Sequence, residues 1–361
     1  MMKRLVLLFV VFYLGVFTLI AQDEKEEFTI VKELKHTPVI SQGRTGTCWS
    51  FATTSFLESE IMRLGFPETN LSEMFFVNYN YQTKAFQYLL YHGNNNFGEG
   101  SVSHDVLNIV SEKGIATYES FPGEKVDGKY NHSKLISQLK KEADDINKTK
   151  SGKIDVSDFD AYQSILKEHL GKLPKKVELD DDKYSPEKLR DKFKIDTDDF
   201  VELTSFSHHP FYQQFVLEIP DNWAHALYYN LPVDDLLDVM YNAVSTGYTI
   251  AWDGDTSEKT FTHKKGKADV PEKQQGKVNQ KLRQETFYDR TTTDDHLMHI
   301  VGLSKDAEGK DCFYTKNSWG ADSNDYGGYL HLTEDYVRLK TIAIMVHKDA
   351  IPKKIKNKLG L

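Results

Sequence analysis

Two cysteines occur in 361 residues, Cys48 and Cys312, and one of them sits where a thiol can be made reactive. Cys48 falls in Gln42-Gly43-Arg44-Thr45-Gly46-Thr47-Cys48-Trp49-Ser50-Phe51-Ala52, where a polar, glycine-containing turn runs into a helical pattern. A sulfur in the first turn of a helix feels unpaired N–H groups and the positive end of the helix dipole, which lower its pKa toward the nucleophilic thiolate. The same N–H groups are donors for an oxyanion, and Gln42 adds a side-chain amide. A buried, inert cysteine is the commonest fate of a free thiol, so Cys48 alone decides nothing; Gln42 and Gly46 beside it tilt the reading toward chemistry. Such a nucleophile needs a base and a group that orients the base. His296, opening His296-Leu297-Met298-His299-Ile300-Val301-Gly302, and Asn317, in Lys316-Asn317-Ser318-Trp319-Gly320, supply both. They stand 21 residues apart, a separation that two adjacent strands and a loop can close. Asn317 accepting from one imidazole nitrogen leaves the other for the sulfur, and the Trp319 indole shields that bond from water.

The rival histidine is His299, but its odd spacing from His296 on a strand puts it on the opposite face. Asp294 and Asp295 are alternative orienters, although immediate neighbours of a strand histidine point away from it. His104, His208 and His209 read as structural or surface residues, and Cys312 as a core residue of a strand. Asp180-Asp181-Asp182 lacks the turn glycine and terminal glutamate of a calcium loop, so it reads as a solvated loop, and no metal site is expected.

These residues need elements to hold them. Phe28 to Ile40 reads as a short strand followed by punctuation at Thr37-Pro38. Apolar residues from Trp49 to Leu64 recur at helical steps until Gly65-Phe66-Pro67, and further helices are expected after Leu71-Ser72-Glu73 and over Ser103 to Glu112. The composition turns highly charged from Lys125 to about Asp199, as a mostly helical, solvent-facing insertion would. The last third reads as strands at 247–252, 299–303, 312–315, 328–332 and 342–346. Helices first and strands later argue an α+β fold: a helical subdomain carrying the nucleophile, and an antiparallel sheet or small barrel carrying His296 and Asn317. The expected division is a signal peptide at 1–21, the helical subdomain at 22–124, the charged insertion at 125–200 and a β-rich subdomain at 201–361.

The chain is acidic, with 54 Asp and Glu against 45 Lys and Arg and a net charge of −9. That disfavours nucleic acid as a partner, since counterion release wants a basic face. Two cysteines exclude a disulfide-stapled scaffold. Met1-Met2-Lys3-Arg4 followed by an uncharged run from Leu5 to Ile20 and a small-residue exit at Ala21 has the pattern of a secretory signal peptide. The run is shorter than the roughly 20 residues of a spanning helix, so export to a periplasm or the outside is expected, with no stable membrane anchor after cleavage.

Gln-x5-Cys-Trp-x-Phe-Ala, then His-x5-Gly, then Asn-Ser-Trp-Gly, in that order, resemble the papain-like cysteine peptidases, and the bleomycin hydrolase/aminopeptidase C branch more than the papain–cathepsin branch. Thr45 stands where the latter places a disulfide cysteine. The 248 residues from Cys48 to His296 exceed the roughly 130–150 of the papain pattern. The resemblance implies Cys48 as nucleophile, His296 as general base and then acid, Asn317 as orienter, and Gln42 with the Cys48 N–H as the oxyanion hole. It also implies that Phe97-Gly98-Glu99-Gly100 matches the stretch whose backbone pairs with the substrate, Gly98 and Gly100 allowing close approach of an extended peptide. Peptides are the implied substrates and no metal or organic cofactor is needed. The long C-terminal arm that confines that branch to amino termini has no counterpart in Ala350 to Leu361. This weakens the implied homo-oligomer and leaves endopeptidase action, or an inactive peptide-binding homologue, as the alternatives to an aminopeptidase.

Overall fold

The computed structural model describes residues 27–149 and 159–361; the signal segment expected at 1–21 lies outside them. The helices are α1 (Cys48–Arg63), α2 (Glu73–Leu90), α3 (Ser103–Lys113), α4 (Ser133–Lys148), α5 (Asp160–Leu170), α6 (Pro186–Lys192), α7 (Val233–Thr246), α8 (Gln280–Tyr288), α9 (Glu334–Lys340) and α10 (Lys353–Leu359). The first six strands are β1 (Thr29–Glu33), β2 (Val177–Leu179), β3 (Asp182–Tyr184), β4 (Phe200–Thr204), β5 (Gln214–Val216) and β6 (Leu227–Asn230). The rest are β7 (Ile250–Gly254), β8 (Phe261–Thr262), β9 (Lys267–Ala268), β10 (His296–Lys305), β11 (Asp311–Lys316), β12 (Tyr329–Thr333) and β13 (Thr341–His347).

Eleven strands form one sheet in the order β5-β6-β4-β13-β7-β10-β11-β12-β9-β8, with β1 joining at β10. All pairings are antiparallel except β12 with β9 and β4 with β6. The mixed α+β architecture expected from the sequence is thus found, with a sheet as its β part. Its two faces carry separate cores. Leu297, Ala251 and Met345 face α1 and the helical layer, while Met298, Ile300, Trp252 and Ile344 face α7, α9 and α10. Alternation along β10 therefore puts His299 under α1, where its Nδ1 lies 2.8 Å from Ser55 Oγ, on the face opposite to that of His296.

The first helices form where their signals stand: α2 begins with Ser72 accepting the Phe75 N–H, an N-cap bond that satisfies one otherwise unpaired donor. The charged 125–200 stretch is less detached than its composition suggests. Leu135, Leu139 and Ala143 of α4 and Tyr162, Leu166 and Leu170 of α5 all lie in the helical core, leaving only the outer faces to the charges. Asp180 and Asp181 form the turn of the β2–β3 hairpin. The region read as strands also contains α7, α8 and α9; α7 packs Leu236, Leu237, Met240 and Val244 into the second core.

Helix α1 is buried at every residue from Cys48 to Met62, so its polar side chains must be satisfied from inside. Lys316, at the end of β11, does much of this: its Nζ lies 2.9 Å from Thr37 Oγ1 and 2.8 Å from Ser55 Oγ, and Thr37 in turn donates to Glu58 at 2.5 Å. Burial pulls the Lys316 ammonium down to about 8 and pushes the Glu58 carboxyl up to about 7, against the attraction between the two. Removing one partner of a buried pair strands the other. Lys316→Ala should therefore lower unfolding free energy by about 3–5 kcal/mol, read from the midpoint and slope of urea denaturation. A loss below about 1 kcal/mol, the worth of an exposed pair, would show that this network does not hold α1 to the sheet.

Candidate active site

Thr47 ends the turn before α1 without a side-chain cap bond, leaving the first N–H groups of the helix to other acceptors. Cys48 is the first residue of that helix and is 8% exposed. Its sulfur accepts the backbone N–H of Leu297, one residue past His296. The start of α1 and the start of β10 therefore meet, bringing together residues 248 apart in the chain.

His296 and Asn317 face each other across the β10–β11 ladder, whose register pairs His299 with Lys316. His296 Nε2 lies 2.7 Å from Asn317 Oδ1. The same oxygen accepts the Ser318 backbone N–H at 2.7 Å, which identifies it as the amide oxygen, because a backbone N–H can only donate. Nε2 is thus the protonated nitrogen, and the lone pair sits on Nδ1. The Trp319 ring tilts over the imidazole with centroids 4.9 Å apart, covering the bond. Gln42 is joined to the same segment: its N–H donates to Ser318 O at 2.8 Å and its Oε1 accepts from Ser318 Oγ at 2.6 Å. One amide proton of Gln42 goes to Thr45 O at 2.7 Å, leaving the second for an oxyanion.

Electrostatics here run against the expectation from the helix dipole. Burial pushes the Cys48 thiol up to about 12, opposed by the Leu297 N–H and reinforced by Asp294, Asp253 and Asp221. Burial also pulls the His296 imidazole down to about 4, opposed by Asn317 and assisted by His263. Desolvation penalises the charged form of each partner, so in the closed site the neutral thiol and neutral imidazole are the resting pair.

Gly98 and Gly100 lie beside the nucleophile loop. Glu99 between them accepts the Trp49 indole N–H at 2.9 Å with its carbonyl and the Gly46 N–H at 2.6 Å with its carboxylate. The face of Gly100 is not open: a Cβ there would overlap the Asp221 carboxylate, whereas Gly98 has free space around it. Gly302, the last residue of the His-x5-Gly spacing, lies where β10 passes from β7 to β1, and a Cβ would overlap the Lys32 carbonyl. Cys312 is buried in β11, its sulfur 3.7 Å from Lys310 O, apart from Cys48, His296 and Asn317. His104 is a structural residue at the start of α3, bonded to Glu202 at 2.7 Å. His263, which stacks edge-on against Trp319 at 4.7 Å, was not singled out by any motif; nor were Asp221 and Asp253.

A family model described as "Peptidase C1-like family" matches residues 165–360, and one described as "Papain family cysteine protease" matches residues 25–182. The first spans more than half the chain, and the protein belongs to that family of papain-like cysteine peptidases. A cathepsin L-like peptidase of Aedes aegypti is 33% identical over 91 residues, 25% of this chain and 24% of that one, so the match spans about a quarter of the relative. The crystal structure of PepW from Lactobacillus rhamnosis HN001 superposes with a TM-score of 0.73 at 17% identity, covering 92% of this chain and 84% of that one, a likeness of fold.

Trp319→Ala would admit water to the imidazole and relax the desolvation that holds it near 4, so the pKa of His296 should rise toward 6.5. A base must be unprotonated to act. The acid limb of kcat/KM should therefore move to higher pH, the variant losing more activity at pH 5 than at pH 8. An unmoved limb would mean that Trp319 does not control the imidazole.

Proposed function

We propose that this chain hydrolyses peptides through Cys48, His296 and Asn317, with Gln42 and the Cys48 N–H as the oxyanion hole, and that it is an exported aminopeptidase. The observation that supports the chemistry is the 2.7 Å bond from His296 Nε2 to Asn317, which leaves Nδ1 as the basic nitrogen, while the next residue, Leu297, gives its N–H to the Cys48 sulfur. Starting from the neutral pair, Sγ attacks the scissile carbonyl as its proton passes to Nδ1. The oxyanion takes donors from the start of α1 and from Gln42. Collapse expels the amine, which takes the proton from His296, and water then attacks the thioester with His296 again the base. The aminopeptidase reading is supported by the motif pattern, with Thr45 in place of a cysteine and a long Cys48-to-His296 separation; export is supported by the leader pattern at 1–21.

The test compares a fluorogenic amino-acid amide bearing a free amine with an N-blocked peptide, under reducing conditions, with and without iodoacetamide. Cleavage of the free amine alone, abolished by alkylation, is expected. Cleavage of the blocked peptide would make the chain an endopeptidase, and silence on both would make it a binding protein. Cys48→Ala should lose at least about 10⁴-fold while melting at an unchanged temperature, whereas Asn317→Ala should lose about 10²-fold, less than His296→Ala, since it only orients the base. Equal losses from the last two would give Asn317 a larger part.

A further inference from the structure

Three carboxylates act on the thiol, and two of them, Asp253 and Asp294, have buried oxygens without a hydrogen-bond partner. Asp253 lies on β7 opposite Leu297, the residue whose N–H reaches the sulfur. It is 4% exposed, and neither of its oxygens receives a hydrogen bond from a donor among the described residues. Burial, and after it the neighbouring carboxylate of Asp294, two residues before His296, push the Asp253 carboxyl well above its usual range. Asp294 Oδ2 is likewise buried and unpartnered. The third, Asp221, rests against Gly100. All three act electrostatically on Cys48. Among the described residues the cation that acts on Asp221 is Lys84, and its Nζ donates to the carbonyls of Gly98 and Gly100.

Asp221 is placed deliberately. Its loop, between β5 and β6, is clamped onto the glycine stretch: Asn96 Nδ2 donates to Asp221 Oδ1 at 2.9 Å and to Pro220 O at 3.0 Å, and Asn95 Nδ2 to Trp223 O at 2.9 Å. The Trp223 indole closes the other side on Ser101 Oγ at 2.7 Å. If Gly98 to Gly100 pair with the substrate backbone, a chain extending N-terminally beyond the cleaved residue would run into Asp221.

Burying like charges together is costly unless a cation joins them. A peptide offers one at a fixed place, its N-terminal ammonium. We infer that Asp221, Asp253 and Asp294 form the receptor for the substrate's N-terminal ammonium, and that the Asp221 loop closes the cleft beyond it. The inference rests on the peptidase reading for its consequence, selection of free amino termini, but its binding half stands separately.

The experiment uses the full chain and the isosteric variants Asp221→Asn and Asp253→Asn. Hydrolysis is measured on alanyl aminomethylcoumarin and its N-acetyl counterpart, and the ratio of the two kcat/KM values is the readout. Misfolded protein lowers both rates equally and leaves that ratio intact. Either variant should lower the ratio about 100-fold, the effect of removing one partner of a desolvated charge pair, with Asp221→Glu restoring part of it. In parallel, the Cys48→Ala chain is titrated calorimetrically with alanyl-alaninamide and with acetyl-alanyl-alaninamide, with and without Asp221→Asn. The free amine should bind more tightly, and the added substitution should remove the difference. A ratio within threefold of the parent in both Asn variants, or equal affinity for the two ligands in Cys48→Ala, would overturn the inference. If the intact chain cleaves neither substrate the peptidase reading falls, and the calorimetry alone decides the ammonium site.

Discussion

A helix buried along almost its whole length must meet its most demanding polar groups from inside, and that constraint organises this protein. Helix α1 runs buried between the sheet and the other helices with Ser55 and Glu58 inside. Both are met through Lys316, whose ammonium bridges Thr37 and Ser55. Locking Lys316 fixes the residue that follows it, Asn317, and with it the orientation of His296. The charge that keeps α1 in place and the amide that orients the base are thus neighbours in the chain. Structural polarity and site geometry come from one short segment.

Burial then sets the electrostatic character of the site. The start of α1 and the Leu297 N–H favour a thiolate, but exclusion of water and three nearby carboxylates weigh more heavily against it. A cationic group entering among those carboxylates would cancel their effect on the sulfur. The substrate's own charge would then help to ionise the nucleophile that attacks it, and the thiol would stay protonated, and less open to oxidation, while the cleft is empty.

Much of the proposed catalytic group was legible as candidates in the sequence because each member lies in a short motif with its own local reason. The turn-to-helix junction exposes N–H groups at Cys48. The 21-residue gap is a strand, a loop and a strand, and the odd spacing placed His299 on the far face. The acidic group was hidden for the opposite reason. Asp221, Asp253 and Asp294 come from a loop, a strand and a strand approach, and nothing near any of them in sequence indicates that they converge. Asp294 was noticed only as a neighbour of His296. Helices α7 to α9 were missed because strands 250–254 and 341–347 around them carry stronger apolar signals. The charges of 125–200 concealed that Leu135, Leu139 and Leu166 face inward.

Cys48 and His296 come from segments far apart in the chain. Helix α1 begins at residue 48, whereas the hairpin bearing His296 and Asn317 is completed only after residue 317. Synthesis runs from the N-terminus at about 5–20 residues per second, so the thiol is made well before anything can deprotonate it. Pairing of this kind also pays a large loop-closure entropy and forms late in folding. A nascent chain therefore carries Cys48 without His296 or Asn317 beside it until synthesis has passed residue 317 and the β10–β11 hairpin has closed onto α1.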